Sequence, residues 1–179
     1  MSDSALKIGL FYGSTTCYTE MAAEKIQAQL NALFDDQVVD MHNIQETSLN
    51  RTAEYDILIF GISTWDFGEL QEDWESHWEE VHQLDLSDKI IALFGLGDQV
   101  GYTDWFQDAL GMLHDAIKPS GCRVIGFWPN TGYDFAQSKA LTEDKSQFVG
   151  LSLDDENQYD LTDERIHTWC HQLLEELSE

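Results

Sequence analysis

Positive charge is what this chain most lacks. Its 179 residues hold 9 Lys and Arg against 34 Asp and Glu, a formal net charge of −25. No basic residue stands between Arg51 and Lys89, or between Lys89 and Lys118. A field of that sign repels phosphate backbones and anionic lipid, which excludes nucleic acid and membrane surfaces as partners. The complementary partner is a protein with a basic patch, approached by salt-sensitive steering. Solubility alone could account for much acid, but the acids crowd Asp66 to Glu80, directly after an aromatic loop. Cysteine is also sparse: Cys17, Cys122 and Cys170 are odd in number and lack metal-type spacing, which points to reduced thiols in the cytoplasm. No apolar run is long enough for a bilayer, and the head, Met1 to Ala5, is too short and polar for a signal peptide. Linkers, repeats and low-complexity tracts are missing too. The expectation is one domain over 1–179, with a single core and a monomeric state.

What is present alternates strand and helix. Apolar runs at Leu6–Tyr12, Val38–Met41, Ile57–Ile62, Ile90–Leu96 and Val124–Trp128 read as five strands. Helical stripes fill the gaps: Met21, Ala22, Ile26, Leu30 and Leu33; Leu70, Trp74, Trp78 and Val81; Phe106, Ala109, Leu110, Leu113 and Ile117; and Ile166, Trp169, Cys170, Leu173, Leu174 and Leu177. A short helix is expected near Ile44 to Ala53, and Thr162 or Asp163 is the expected cap of the last helix. Repeated βα units imply an α/β, doubly wound, five-stranded parallel sheet in the order 2-1-3-4-5. The stretch from Pro129 to Gln147 exceeds what a connection needs, so an insertion is read as interrupting the fifth strand, which resumes at Phe148–Leu153.

Three loops follow strand-like runs and carry the chemistry. Gly13 to Thr19 supplies the hydroxyls of Ser14, Thr16 and Thr19 before a helix whose first N–H groups and dipole favour an anion. No Lys follows to make a nucleoside-triphosphate loop, and no G-x-G-x-x-G suits a pyrophosphate, so one phosphate is implied. Ser63 to Gly68 presents Trp65, and Gly97 to Tyr102 presents Tyr102. An ordinary capping loop, or an aromatic that merely covers a sheet edge, would explain any one of these alone. Together, at the strand ends where open α/β sheets bind ligands, they describe a flat phosphorylated ring stacked between two aromatics, and the ligand suggested is FMN. Gly97 and Gly101 let the backbone approach such a ring, and Asp98 is placed to accept a hydrogen bond from a ring N–H.

Ser-x-Thr-x-x-Thr after the first strand, Thr-Trp-x-x-Gly-Glu after the third and Gly-x-Gly-Asp-Gln-x-Gly-Tyr after the fourth resemble the flavodoxins. The interrupted fifth strand is similar to the long-chain class, and Thr64-Trp65-Asp66-Phe67-Gly68-Glu69 resembles the flavodoxin B type. The resemblance covers essentially the whole chain. It implies a flavodoxin-like fold and a low-potential one-electron carrier serving a basic-surfaced reductase, such as an NADP-dependent flavodoxin reductase, and acceptor enzymes. It places the phosphate at Ser14, Thr15, Thr16, Cys17, Tyr18 and Thr19. It places the ring beside Ser63, Thr64, Trp65, Asp66, Phe67 and Gly68 on one side and Leu96, Gly97, Asp98, Gln99 and Tyr102 on the other, with Asp154 near the ribityl chain. It also implies that the Asp66–Phe67 peptide can turn its carbonyl toward ring N5. Cys17 departs from the Gly usual in this loop, and is expected to begin the helix without strain.

Charge sets the expected direction of the redox chemistry. A unit charge about 10 Å from the ring, at an effective dielectric of about 20, disfavours an added electron by roughly 1.7 kcal/mol, or about 70 mV. Asp66, Asp98 and their neighbours therefore lower the second reduction step. Two other functions fit the strand order. An FMN-dependent NAD(P)H:quinone oxidoreductase needs an open ring face, which Trp65 and Tyr102 would cover. A phosphoacceptor receiver module needs acids after the first strand, where Gly13-Ser14-Thr15 stands. His167 and His171, four apart around Cys170, lack a third metal ligand and read as surface residues, as do His77 and His82. Trp74 and Trp78 read as core.

Overall fold

The computed structural model describes residues 6–179; the head, Met1 to Ala5, lies outside them. Strand β1 (Ile8–Tyr12) leads to helix α1 (Tyr18–Phe34), β2 (Val39–Asn43) and a 3-10 turn at Leu49–Glu54. Next come β3 (Ile57–Trp65), β4 (Glu69–Leu70), α2 (Glu72–Ser76), α3 (Trp78–Gln83), β5 (Ile90–Leu96) and α4 (Asp108–Ile117). The chain closes with β6 (Arg123–Ile125), β7 (Trp128–Pro129), β8 (Gln147–Phe148), β9 (Leu151–Leu153) and α5 (Tyr159–Leu177).

The main sheet runs β2-β1-β3-β5-β6, every one of these pairs parallel. With β5 as the fourth long strand, this is the expected 2-1-3-4-5 order. The central strands are buried on both faces, so they read as continuous apolar runs. Helices α1 and α5 pack together, as do α3 and α4. The centres of the stripes bury: Ala22, Ile26 and Leu30 on α1, and Ile166, Trp169, Cys170 and Leu173 on α5, are all at most 2% exposed, while Met21, Leu33, Leu174 and Leu177 are half-buried. At roughly 1.5–3 kcal/mol for each large apolar side chain, these faces hold the helices to the sheet.

The fifth strand is split. β6 pairs with Ile90–Ala92 and β9 continues the same edge along Phe94–Leu96. The excursion between them is longer than expected, because Trp128 leaves the sheet and pairs with Phe148 in a small antiparallel hairpin. The departure occurs at Gly126, whose φ of 81° and carbonyl, bonded by Trp169 Nε1 at 2.8 Å, turn the chain away.

Two further expectations change. The stripe from Leu70 to Val81 forms two short helices because His77 Nδ1 donates to the Asp73 carbonyl at 2.8 Å, the group that would have continued the helical ladder. Helix α5 starts at Tyr159, so Thr162 and Asp163 lie inside it; Thr162 instead donates to Asp155, and Asp163 pairs with Lys25 at 2.7 Å. Among the described residues no helix is long and apolar enough to cross a membrane.

Candidate functional site

A cavity of about 240 Å³ opens at the carboxyl ends of β1, β3 and β5. Thr16, Tyr18 and Thr19 line it from the first loop, Ser63 to Asp66 from the second, and Leu96, Gly97, Asp98 and Tyr102 from the third. The topology thus places the first two loops at the switch point between β1 and β3 and the third beside it, after β5, as the alternating pattern implied.

In the first loop, none of the backbone N–H groups from Ser14 to Thr19 donates to an acceptor in the described protein. That run of free donors at a helix N-terminus fits a phosphate. Ser14 Oγ accepts from the Glu20 N–H at 3.4 Å, and Thr15 Oγ1 accepts from Gln71 Nε2 at 3.1 Å. Thr19 is buried; Thr16 and Cys17 are exposed. Cys17 does not begin the helix in ordinary helical conformation. It precedes α1 with φ 70° and ψ −5°, the left-handed region, because the chain reverses there from strand to helix. A side chain in that conformation costs roughly 1–2 kcal/mol relative to glycine.

The second loop is the turn of a hairpin. Trp65 pairs with Glu69, leaving Asp66, Phe67 and Gly68 to reverse the chain. Positive φ falls at Asp66 (45°) and Gly68 (87°), not at Phe67. Trp65 Nε1 donates to Ser63 Oγ at 2.8 Å, which fixes the indole, and Thr64 Oγ1 accepts from the Ala109 N–H at 2.9 Å. Phe67 lies outside the cavity lining, 67% exposed, edge-on to Trp105 and Tyr102. Gly68 rests on Asp108, whose Oδ2 would lie 2.8 Å from any Cβ there. Burial raises the Asp108 carboxyl above its ordinary range, opposed by the Lys139 N–H that it accepts.

The third loop is closed on itself. Asp98 Oδ1 accepts from Val100 N–H (3.1 Å), Gly101 N–H (2.7 Å) and Asn157 Nδ2 (2.8 Å). Those two loop N–H groups are therefore committed internally, and only Asp98 Oδ2 is left to meet a ring N–H. Gly101 is required here, since a Cβ would meet Asp98 Oδ2 at 2.4 Å. Gln99 is buried and points away from the cavity: its N–H and Nε2 donate to Asp154 Oδ2, and its Oε1 accepts from the Asp134 N–H.

Asp154 does not line the cavity either. It is fully buried and gathers Gln99, Glu156 and Asn157 around its two oxygens. Asp155 and Glu156, which the motif did not point to, face the cavity instead. Burial raises the Asp155 carboxyl, against the opposing pull of Thr162 and Lys25. Trp74 is core, its Nε1 donating to the Gly61 carbonyl at 2.8 Å, and Trp78 packs on that core. His167 and His171 are exposed with ring centroids 4.4 Å apart, and no group of three metal ligands occurs among the described residues.

A doubly wound sheet whose switch point carries one phosphate-sized cradle and two flanking aromatics defines a mononucleotide-binding α/β protein. Comparison with known proteins narrows the class. A family model described as flavodoxin matches residues 10–169. Flavodoxin 2 of Escherichia coli strain K12 is 53% identical over 174 residues, covering 97% of this chain and 98% of that protein. A Synechocystis flavodoxin is 47% identical over 167 residues, covering 93% and 95%. Among solved structures, a Fusobacterium nucleatum flavodoxin bound to flavin mononucleotide superposes with a TM-score of 0.87 at 28% identity, covering 95% of this chain and 98% of that one. The chain belongs to the flavodoxin family, and it is an electron-transfer protein rather than an enzyme.

Proposed function

We propose that the cavity holds one noncovalent FMN, its phosphate on the loop from Ser14 to Thr19 and its ring between Trp65 and Tyr102. The cofactor of this electron carrier is FMN, and when bound it supplies the capacity to take up electrons one at a time. The observation that carries the residue assignment is the uninterrupted run of N–H groups from Ser14 to Thr19 without protein acceptors, a loop whose Thr16, Tyr18 and Thr19 line the same cavity as both aromatics.

The remaining work belongs to the protein. Trp65 and Tyr102 exclude water from the ring faces, each worth roughly 0.5–1.5 kcal/mol beyond area burial. Asp66, Asp98, Asp155 and Glu156 lie around the cavity and set a negative potential against added charge, which favours a low second-step potential. Asp66, Asp98 and Glu156, together with exposed Phe67 and Val100, form the face offered to partners. Those partners are basic-surfaced redox proteins, such as an NADP-dependent flavodoxin reductase, and the protein works as a cytoplasmic monomer, one domain over 1–179.

Flavin released from the denatured protein identifies the cofactor: one FMN per chain is expected, and recovery of FAD overturns the one-phosphate reading. Anaerobic mixing with NADPH alone should leave the flavin oxidised, because no nicotinamide site is proposed here; rapid bleaching would favour the oxidoreductase. Reduction through a basic reductase should slow as ionic strength rises from about 0.01 to 0.15 M, over which the Debye length shrinks from about 30 to 8 Å. Rates indifferent to salt would remove the acidic face from partner docking.

A further inference from the structure

Gln71 stands at the start of α2, directly after β4, and its side chain is fully buried. Every hydrogen-bonding position of its amide is used. Oε1 accepts from the N–H groups of Asp73 (3.1 Å) and Trp74 (3.3 Å), capping α2. Nε2 donates to Asp73 Oδ2 (2.9 Å) and, across 56 residues of sequence, to Thr15 Oγ1 (3.1 Å). A buried amide satisfied at all four positions has one orientation, so its partner hydroxyl is pinned as well. The approach requires Gly13, where a Cβ would meet Gln71 Oε1 at 2.2 Å.

The consequence falls on the first loop. Thr15 turns its hydroxyl to Gln71 and does not line the cavity, while its N–H has no protein acceptor. Gln71 also continues the hairpin that carries Trp65, through the pairing of Trp65 with Glu69. One buried side chain therefore joins the phosphate end of the cavity to the ring end.

We propose that Gln71 is a positioning residue for phosphate recognition: through Thr15 it holds the first loop in the conformation whose free N–H groups receive the FMN phosphate. This rests on the reading of the cavity as the FMN site. Removing the Gln71–Thr15 bond takes away pre-organisation for the phosphate and leaves the ring contacts in place.

The test uses the full chain stripped of flavin and titrated with FMN and with riboflavin, which keeps the ring and ribityl chain but lacks the phosphate. Thr15→Val and Gln71→Met should each weaken FMN binding roughly three- to tenfold, the worth of one net hydrogen bond, and move riboflavin less than about twofold. The double variant should be no weaker than the weaker single one, because both remove the same bond. Equal losses for both flavins, additive losses in the double variant, or no loss for FMN overturn the proposal. Should Gln71→Met fail to fold by circular dichroism, Thr15→Val at its exposed position decides the matter by the FMN-to-riboflavin ratio alone. A parent chain that binds neither flavin overturns the reading of the cavity, and this proposal with it.

Discussion

The first and third loops line one cavity and are built on opposite principles. From Ser14 to Thr19 the backbone donors have no protein partners. From Gly97 to Tyr102 nearly every donor is committed: Gly97 to Leu153, Gln99 to Asp154, Val100 and Gly101 to Asp98 Oδ1, and Tyr102 to the Asp98 carbonyl. An unpaired donor facing water costs little and is available to an anion. A committed donor gives shape without a ligand. The anion loop is therefore a receptor, completed by what it binds, while the aromatic loop is a wall that stands on its own.

The largest way to break that contrast is to remove the wall's anchor. Asp154 is fully buried and accepts from Gln99 twice and from Glu156 and Asn157. Asp154→Ala leaves buried donors unpaired, each costing roughly 1–3 kcal/mol. Urea unfolding of the apoprotein should show a loss of about 3 kcal/mol, against less than about 0.5 kcal/mol for Thr16→Ala in the exposed first loop. Equal losses at the two sites would erase the distinction between wall and receptor.

Next come the stacking rings themselves. Trp65→Ala and Tyr102→Ala should each weaken FMN binding by roughly 0.5–1.5 kcal/mol beyond the area lost, with little change in apoprotein stability. Both should raise the second-step potential by admitting water to the ring. Titration with dithionite beside the parent checks this, and two variants that bind and titrate like the parent would show the sandwich to be misassigned.

The sequence reveals the walls better than it reveals which way each residue faces. Strand order, the split fifth strand and the gathering of three loops follow from period and spacing, because burial on one or both faces imposes a repeat. A loop has no repeat. Nothing in Asp98-Gln99 or Asp154-Asp155-Glu156 says that Gln99 and Asp154 turn inward to each other while Asp155 and Glu156 face the cavity. The break at His77 depends on one side chain taking a backbone carbonyl, which propensity does not carry. Gln71 left no signal of its own, being the first of three consecutive polar residues, Gln71-Glu72-Asp73, between Leu70 and Trp74. The conformation of Cys17 is the sharpest miss, since a strand-to-helix reversal can place its left-handed residue at any of several positions.

That miss gives a smaller test of the receptor loop. Cys17→Gly relieves about 1 kcal/mol of left-handed strain in the bound conformation. FMN affinity should rise by up to about fivefold. Apoprotein stability should barely move, because without a ligand the loop's N–H groups have no protein acceptors that hold Cys17 in that conformation. A change in apoprotein stability with unchanged affinity would mean that the loop is held by the protein and not by its ligand.

The smallest expected effect lies in the second loop, which belongs to neither extreme: it is paired as a hairpin, yet keeps a non-glycine residue, Asp66, at φ 45°. Turning the Asp66–Phe67 carbonyl toward ring N5 exchanges one turn type for another and moves positive φ onto Phe67, which now lies outside that region. Phe67 resists the exchange by about 1 kcal/mol relative to glycine. For one electron that is about 40 mV. Two contacts modify the figure in opposite directions. Phe67 packs edge-on against Trp105 with ring centroids 5.0 Å apart, so the turn must also disturb an aromatic contact, which adds to the resistance. Glycine is freer before the turn as well as after it, which returns part of the gain. Phe67→Gly should therefore raise the first-step potential by about 20–40 mV and leave the second step nearly fixed, as read by potentiometric titration with spectral detection. Because the side chain is 67% exposed, its loss should not unfold the protein, and the potential is a clean readout. A first step that stays put or falls would mean that the peptide does not turn here, and that the left-handed Asp66 already holds the second loop in the conformation it keeps through the cycle.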